Sequence, residues 1–222
     1  MSNRPGDASV LRAESVPGNL SSADKEKVAE VFNILKNSDV GSLASPGSSR
    51  LRVVDTLPDR FKFVILNPRN VSLAALQAAR LKLGKPRELV LDLNGGKFVA
   101  DCWRSGKADT NRGVKRGRAT EPLEALPSYI AEPLKEATSG EEENDLAFLQ
   151  KFMGWILNNE DFCVFEFEIK KEEGSEIYKI TLGQFDPVTS RFVVEMENKW
   201  GAFLRDAIFD FSSRSLILYV AK

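Results

Sequence analysis

Residues 88–103 constrain the fold more than any other stretch. Asn94-Gly95-Gly96 sits between two runs in which apolar and polar residues alternate, and it supplies the positive-φ positions of a tight hairpin turn. Wherever the turn centres, Leu89, Leu91, Leu93, Phe98, Ala100 and Cys102 share one face, and Glu88, Val90, Asp92, Lys97, Val99, Asp101 and Trp103 share the other. The apolar face specifies a core, so Cys102 is expected to be a buried small apolar residue rather than a redox group. Trp103 closes the polar face where the sequence turns basic.

Around this hairpin the chain reads as strand, strand, helix, strand, strand. Residues 50–56 and 61–66 are rich in Val, Phe and Ile, with Pro58-Asp59 as a turn, and Asn67-Pro68-Arg69-Asn70 ends the second strand. From Ser72 onward, Leu73, Leu76, Ala79, Arg80 and Leu83 recur at helical spacing. Gly84 suits a left-handed helix cap, and Pro86 forbids continuation. An earlier helix over 22–37 sets Val28, Val31, Phe32 and Leu35 on one face, with Ser22 or Asp24 to cap it. Residues 1–20 read as a flexible tail and 41–49 as a loop.

Farther along, Ser139 and Glu142 have capping-box spacing before a helix that reaches about 159. Its Leu146, Phe148, Leu149, Phe152, Met153, Trp155, Ile156 and Leu157 wrap most of the circumference, which requires burial on more than one side. Five strands are expected after it, over 162–170, 176–182, 191–197, 207–211 and 215–220. The first turns Cys163, Phe165, Phe167 and Ile169 inward and Glu166 and Glu168 outward. The last is apolar on both faces, as a central strand is. The expected fold is α+β, with an N-terminal ββαββ lobe and a C-terminal helix packed on an antiparallel sheet of about five strands. The expected domains are a flexible tail (1–20), a basic lobe (21–103), a linker (104–140) that is basic and then Pro-rich and acidic, and an acidic lobe (141–222).

The net charge of −1 conceals a division. Residues 1–118 hold 21 Lys and Arg against 12 Asp and Glu, while the remainder holds 10 against 20. Halves of opposite sign dock on each other, meet a polyanion, or join copies and subunits. Basic character concentrates in 104–118, where Arg104, Lys107, Arg112, Lys115, Arg116 and Arg118 stand against Asp109, with three glycines and no apolar period. Such a segment is expected to be mobile without a ligand. Its cations suit phosphates, and Trp103 beside it can stack on a base. Between 119 and 140, Glu121-Pro122-Leu123 recurs as Glu132-Pro133-Leu134. Prolines prevent one long helix there, so Leu123, Leu126, Tyr129, Ile130 and Leu134 are expected to lie across this protein's own surface or in a partner's groove. Trp200, in Lys199-Trp200-Gly201, is expected at a surface corner between strands, as packing or as a contact.

Histidine is absent and cysteine occurs twice, which excludes serine–histidine and cysteine–histidine nucleophile pairs, histidine-ligated zinc and four-cysteine metal sites. No glycine-rich phosphate loop stands at a strand-to-helix junction. Glu166/Glu168 and Glu195/Glu197 fall at strand spacing on outward faces, where solvated surface explains them. Asp92 and Asp101 share the hairpin's polar face, but a magnesium site needs a third ligand that nothing nominates. No catalytic residue, metal or cofactor is expected. Apolar runs fall short of the ~20 residues of a membrane span, and the N-terminus lacks a signal-peptide core. The protein is therefore expected to be intracellular, cytoplasmic or nuclear, with no membrane partner. It reads as a non-catalytic interaction or scaffold subunit of a larger assembly, binding other protein subunits through oppositely charged lobes, with self-association among its contacts. The alternatives are a nucleic-acid-binding accessory protein using Trp103 and 104–118, and a histidine-free enzyme.

Overall fold

The computed structural model of the chain describes residues 20–37, 49–84, 86–105, 143–159 and 162–222. These residues form an α+β fold of four helices and two antiparallel five-stranded sheets. In chain order the elements are α1 (Ser22–Asn37), β1 (Arg50–Thr56), β2 (Arg60–Leu66), β3 (Val71–Ser72), α2 (Leu73–Leu83), β4 (Glu88–Asp92) and β5 (Lys97–Trp103). There follow α3 (Glu143–Leu157), β6 (Val164–Lys171), β7 (Ile177–Phe185), β8 (Val188–Thr189), α4 (Ser190–Trp200), β9 (Leu204–Asp210) and β10 (Ser215–Ala221).

Local chemistry accounts for most of these boundaries. The β4–β5 hairpin pairs Asp92 with Lys97 and Leu91 with Phe98, and Gly96 takes the left-handed conformation in its turn. The Ser72 hydroxyl caps α2 by accepting the Ala75 N–H at 3.2 Å, and Gly84 ends the helix with φ 65°. The cap of α1 is Ser21, not Ser22 or Asp24: its hydroxyl accepts the Asp24 N–H at 3.1 Å. Residues 191–197 lie in α4, not in a strand. Phe192, Val193, Met196 and Trp200 recur at helical spacing and are buried together, and the Thr189 hydroxyl caps the helix through the Phe192 N–H. Adjacent Val193 and Val194 favour a strand, and the cap with tertiary burial overrides that propensity.

The second half repeats the first. Each runs helix, two strands, a two-residue strand, an 11-residue helix and a hairpin. Buried Asp24, Val28, Val31, Phe32 and Leu35 of α1 recur in α3 as Asp145, Leu149, Phe152, Met153 and Ile156. The hairpin turns also match. Asp92 accepts the Gly95 N–H, Asp210 accepts the Ser212 and Ser213 N–H groups, and left-handed Gly96 has its counterpart in left-handed Arg214. The halves exchange their shortest strands. One sheet has the order β1-β2-β5-β4-β8 and the other β6-β7-β10-β9-β3, so each takes its last strand from the other half. Gln77 of α2 also donates to Glu197 of α4 at 2.6 Å, and Arg80 lies 3.9 Å from the same carboxylate.

Alternation along the strands puts one face of each sheet into a single continuous core. Phe61, Phe63, Ile65, Leu89, Leu91, Phe98, Ala100 and Cys102 line it from the first sheet, and Ile180, Leu182, Ala207, Phe209, Leu216, Leu218 and Val220 from the second. β10 is central in its sheet, which explains why it is apolar on both faces. Burial, with the Asp101 charge beside it, pushes the Cys102 thiol up to about 12. Cys163 differs from expectation: it is exposed and precedes β6, and Phe165 is exposed on β6, which lies at a sheet edge with no neighbouring strand on one flank among the described residues. No described helix is long and apolar enough to cross a membrane.

Candidate functional site

The sequence nominated a basic segment with an aromatic neighbour. Trp103 and Arg104 fall within the described residues. Lys107, Arg112, Lys115, Arg116 and Arg118 lie outside them, as do Leu123, Leu126, Tyr129, Ile130 and Leu134. Trp103 pairs across the ladder with Arg60 and is half-buried, and its indole N–H is buried without a hydrogen-bond partner among the described residues. A ring held in that way offers less face for stacking than an exposed one. Trp200 is not at a surface corner. It is the last residue of α4, and it is buried among Phe148, Phe152, Trp155 and Phe203 with ring centroids 5.0–6.3 Å away.

The chain leaves β5 for the basic segment at a fixed point. Arg104 donates through Nε to the Leu57 carbonyl at 2.7 Å, and its N–H reaches the Asp59 carbonyl. The Ser105 N–H and hydroxyl both bond Oδ1 of buried Asp24, at 3.0 and 2.6 Å, and the Ser21 hydroxyl bonds Oδ2 at 2.7 Å. Burial alone would push this carboxyl up. The hydrogen bonds from Ser105 and Ser21, helped by Lys27, outweigh it and hold the group below its ordinary 3.8. A depressed carboxyl contributes stability that is present above the unfolded value and is lost as pH falls through the folded one. Asp24→Asn is therefore expected to cost about 1–3 kcal/mol at pH 7, because an amide offers one acceptor oxygen to three donors. The gap between wild type and variant should shrink in urea titrations below pH ~3.8. An equal gap at pH 7 and pH ~3 would contradict the assignment.

The carboxylate pairs do not come together as acid–base or metal sites. Asp92 serves the turn, whereas Asp101, at the other end of the hairpin, faces Arg87 at 3.5 Å and Arg60 at 3.7 Å. Glu195 and Glu197 are on helix α4 rather than a strand, where Glu195 pairs with Arg191 at 3.1 Å and Glu197 serves Gln77 and Arg80. Among the described residues no group of three or more acidic or cysteine side chains could hold a metal. A cleft of about 370 Å³ lies between Arg80, Arg87 and Arg191, and it is open to solvent. Each of those guanidiniums already faces a carboxylate, at Glu197, Asp101 and Glu195 respectively.

What the fold presents outward are its sheets. On the first sheet the cross-strand row Arg52, Val64, Val99, Val90 and Thr189 faces away from the core. The matching row on the second is Glu168, Thr181, Ile217, Ile208 and Ser72. The interior members of both rows are half-buried. Among the described residues the long edge strands without an outer neighbour are β1 and β6, at equivalent places in the repeat. The β1–β2 hairpin carries Arg50, Arg52, Arg60 and Lys62 against Asp55 and Asp59. The β6–β7 hairpin carries Glu166, Glu168, Glu172, Glu173 and Glu176 against Lys170, Lys171 and Lys179. Sequence reasoning missed this pair of surfaces. The signal was the shared spacing of Asp24 and Asp145 with the apolar positions that follow each, which aligns the halves. No protein-family model matches the chain, and neither does any curated protein or solved structure.

Proposed function

We propose that this chain is a non-catalytic interaction module, an intracellular subunit that joins protein partners within a larger assembly. The observation that carries the reading is the repeated fold itself. One core supports two equivalent sheet surfaces whose edge hairpins, β1–β2 and β6–β7, have opposite net charge, and this arrangement suits holding partners on two sides. Each surface combines a half-buried row, Val64, Val99 and Val90 or Thr181, Ile217 and Ile208, with a charged residue at its edge, Arg52 or Glu168, the composition of an interface core and its rim. A free sheet edge adds main-chain donors and acceptors that an extended partner can complete.

The test is recovery of the full chain from cell extract at ~50 mM and ~500 mM salt, with and without nuclease, followed by cross-linking. The expected result is a stoichiometric protein complex that survives nuclease, weakens at high salt and cross-links through the β1–β2 or β6–β7 hairpins. Loss of the complex on nuclease treatment would give the chain to nucleic acid instead. A chain recovered alone at the mass of one copy at both salt concentrations would end the proposal.

A further inference from the structure

Three large apolar side chains are exposed among the described residues, and two of them lie on the free sheet edges: Val54 of β1, 53% exposed, and Phe165 of β6, 74% exposed. An open edge is a template for another strand, and proteins commonly protect such edges with charge and bulges. Here β1 carries exposed Arg50 and Arg52, and at equivalent positions of the repeat β6 carries exposed Glu166 and Glu168, the latter 2.6 Å from Lys170 two residues along the same strand. All four side chains project from the outer faces of their sheets. Arg50 and Arg52 stand opposite Leu66 and Val64, and Glu166 and Glu168 opposite Gly183 and Thr181.

We propose that β1 of one copy of this chain pairs edge to edge with β6 of a second copy, continuing one sheet into the next. In an antiparallel register that sets Arg50 against Glu168, Arg52 lies against Glu166, Leu51 against Phe167 and Val53 against Phe165. Both faces of the joined sheet then agree. Leu51 and Val53 pair with buried Ile65 and Phe63 within their own sheet, and Phe167 pairs with buried Leu182 within its own, so apolar residues meet on the core side and opposite charges on the outer side. The pairing ends where a bulge between Val53 and Asp55 turns β1 away. In the like-with-like registers that use the same positions, β1 on β1 sets Arg50 against Arg52 and β6 on β6 sets Glu166 against Glu168, and both repel. The contact is therefore heterologous and builds a ring or a linear array rather than a closed twofold dimer. The proposal rests on the interaction-module reading and names a second copy as one partner.

Light scattering and sedimentation of the full chain at ~50 mM salt, over rising protein concentration, should show species of two or more copies that dissociate by ~500 mM. Two variants sharpen the result, R50E/R52E and E166K/E168K, which make the pairing positions of both edges of a chain acidic or both basic. Each alone should run as a single copy, and an equimolar mixture should associate again. Phe165→Ser leaves the charges in place and should weaken association by about tenfold through the lost apolar contact. Failure of the mixture to associate would overturn the proposal, as would wild-type association unchanged in both charge variants. A wild-type chain that stays single at every concentration yet holds protein partners from extract would refute self-pairing while leaving the interaction-module reading in place.

Discussion

Replacing Trp200 by alanine is expected to lower the free energy of unfolding by about 3–5 kcal/mol, as deletion of a large buried ring does. The indole is 4% exposed and meets Phe152 edge-on at 5.0 Å and Phe148 edge-on at 6.1 Å, with Trp155 and Phe203 completing the cluster. Each such ring pair contributes ~0.5–1.5 kcal/mol beyond the area it buries, so the cavity is left without several partners at once. The cluster also joins α3 to α4, so its loss loosens two helices of the second half. The Trp200 N–H is buried without a hydrogen-bond partner among the described residues, and Trp200→Phe removes that polar group while keeping a ring. The phenylalanine variant should therefore lose much less, on the order of 1–2 kcal/mol. Urea unfolding followed by circular dichroism measures both. A cost below ~1 kcal/mol for the alanine variant would show that this ring is not packing the core.

The second large effect concerns the exchange of strands. If a recognition sequence for a specific protease is placed within 106–142 and cut, the two fragments are expected to elute together in native buffer. The uncut chain is expected to unfold in one transition. Each fragment alone would leave the β4 or β9 edge open, because β8 and β3 come from the other half, and would expose apolar surface where one core runs through both. Val71 pairs with Phe209, and Val188 pairs with Leu91. All four are fully buried, so separation would uncover them in both fragments. Fragments that separate without denaturant, or two resolved transitions in the uncut chain, would mean that each half closes its own core.

Much of the local structure was legible without coordinates because it is written in short-range chemistry. The 88–103 hairpin follows from alternation around Asn94-Gly95-Gly96, and α2 follows from its Ser72 cap and Gly84 stop. Both depend on groups within a few residues of one another. Residues 191–197 did not yield to the same reasoning. Two adjacent valines favour a strand, and the helix wins because Phe192, Val193, Met196 and Trp200 all find burial on one side. Cys163 and Phe165 show the opposite limit: alternation set them on one apolar face, but only the tertiary structure shows that Cys163 precedes β6 and that Phe165 lies exposed on an edge strand.

By itself, then, the amino-acid sequence determined the 88–103 hairpin, the cap and stop of α2, the α+β class and the division of charge, since these depend on periodicity, turn chemistry and composition. Tertiary structure decided that the chain is a repeat whose halves trade two-residue strands, that Trp200 is core, and that arginines and glutamates occupy equivalent free edges. The exchange of strands rests on pairings between residues roughly a hundred or more positions apart, Val90 with Thr189 and Val71 with Phe209. The two halves preserve the apolar spacing of those contacts while differing in most side chains, so the repeat became visible once the chain was folded.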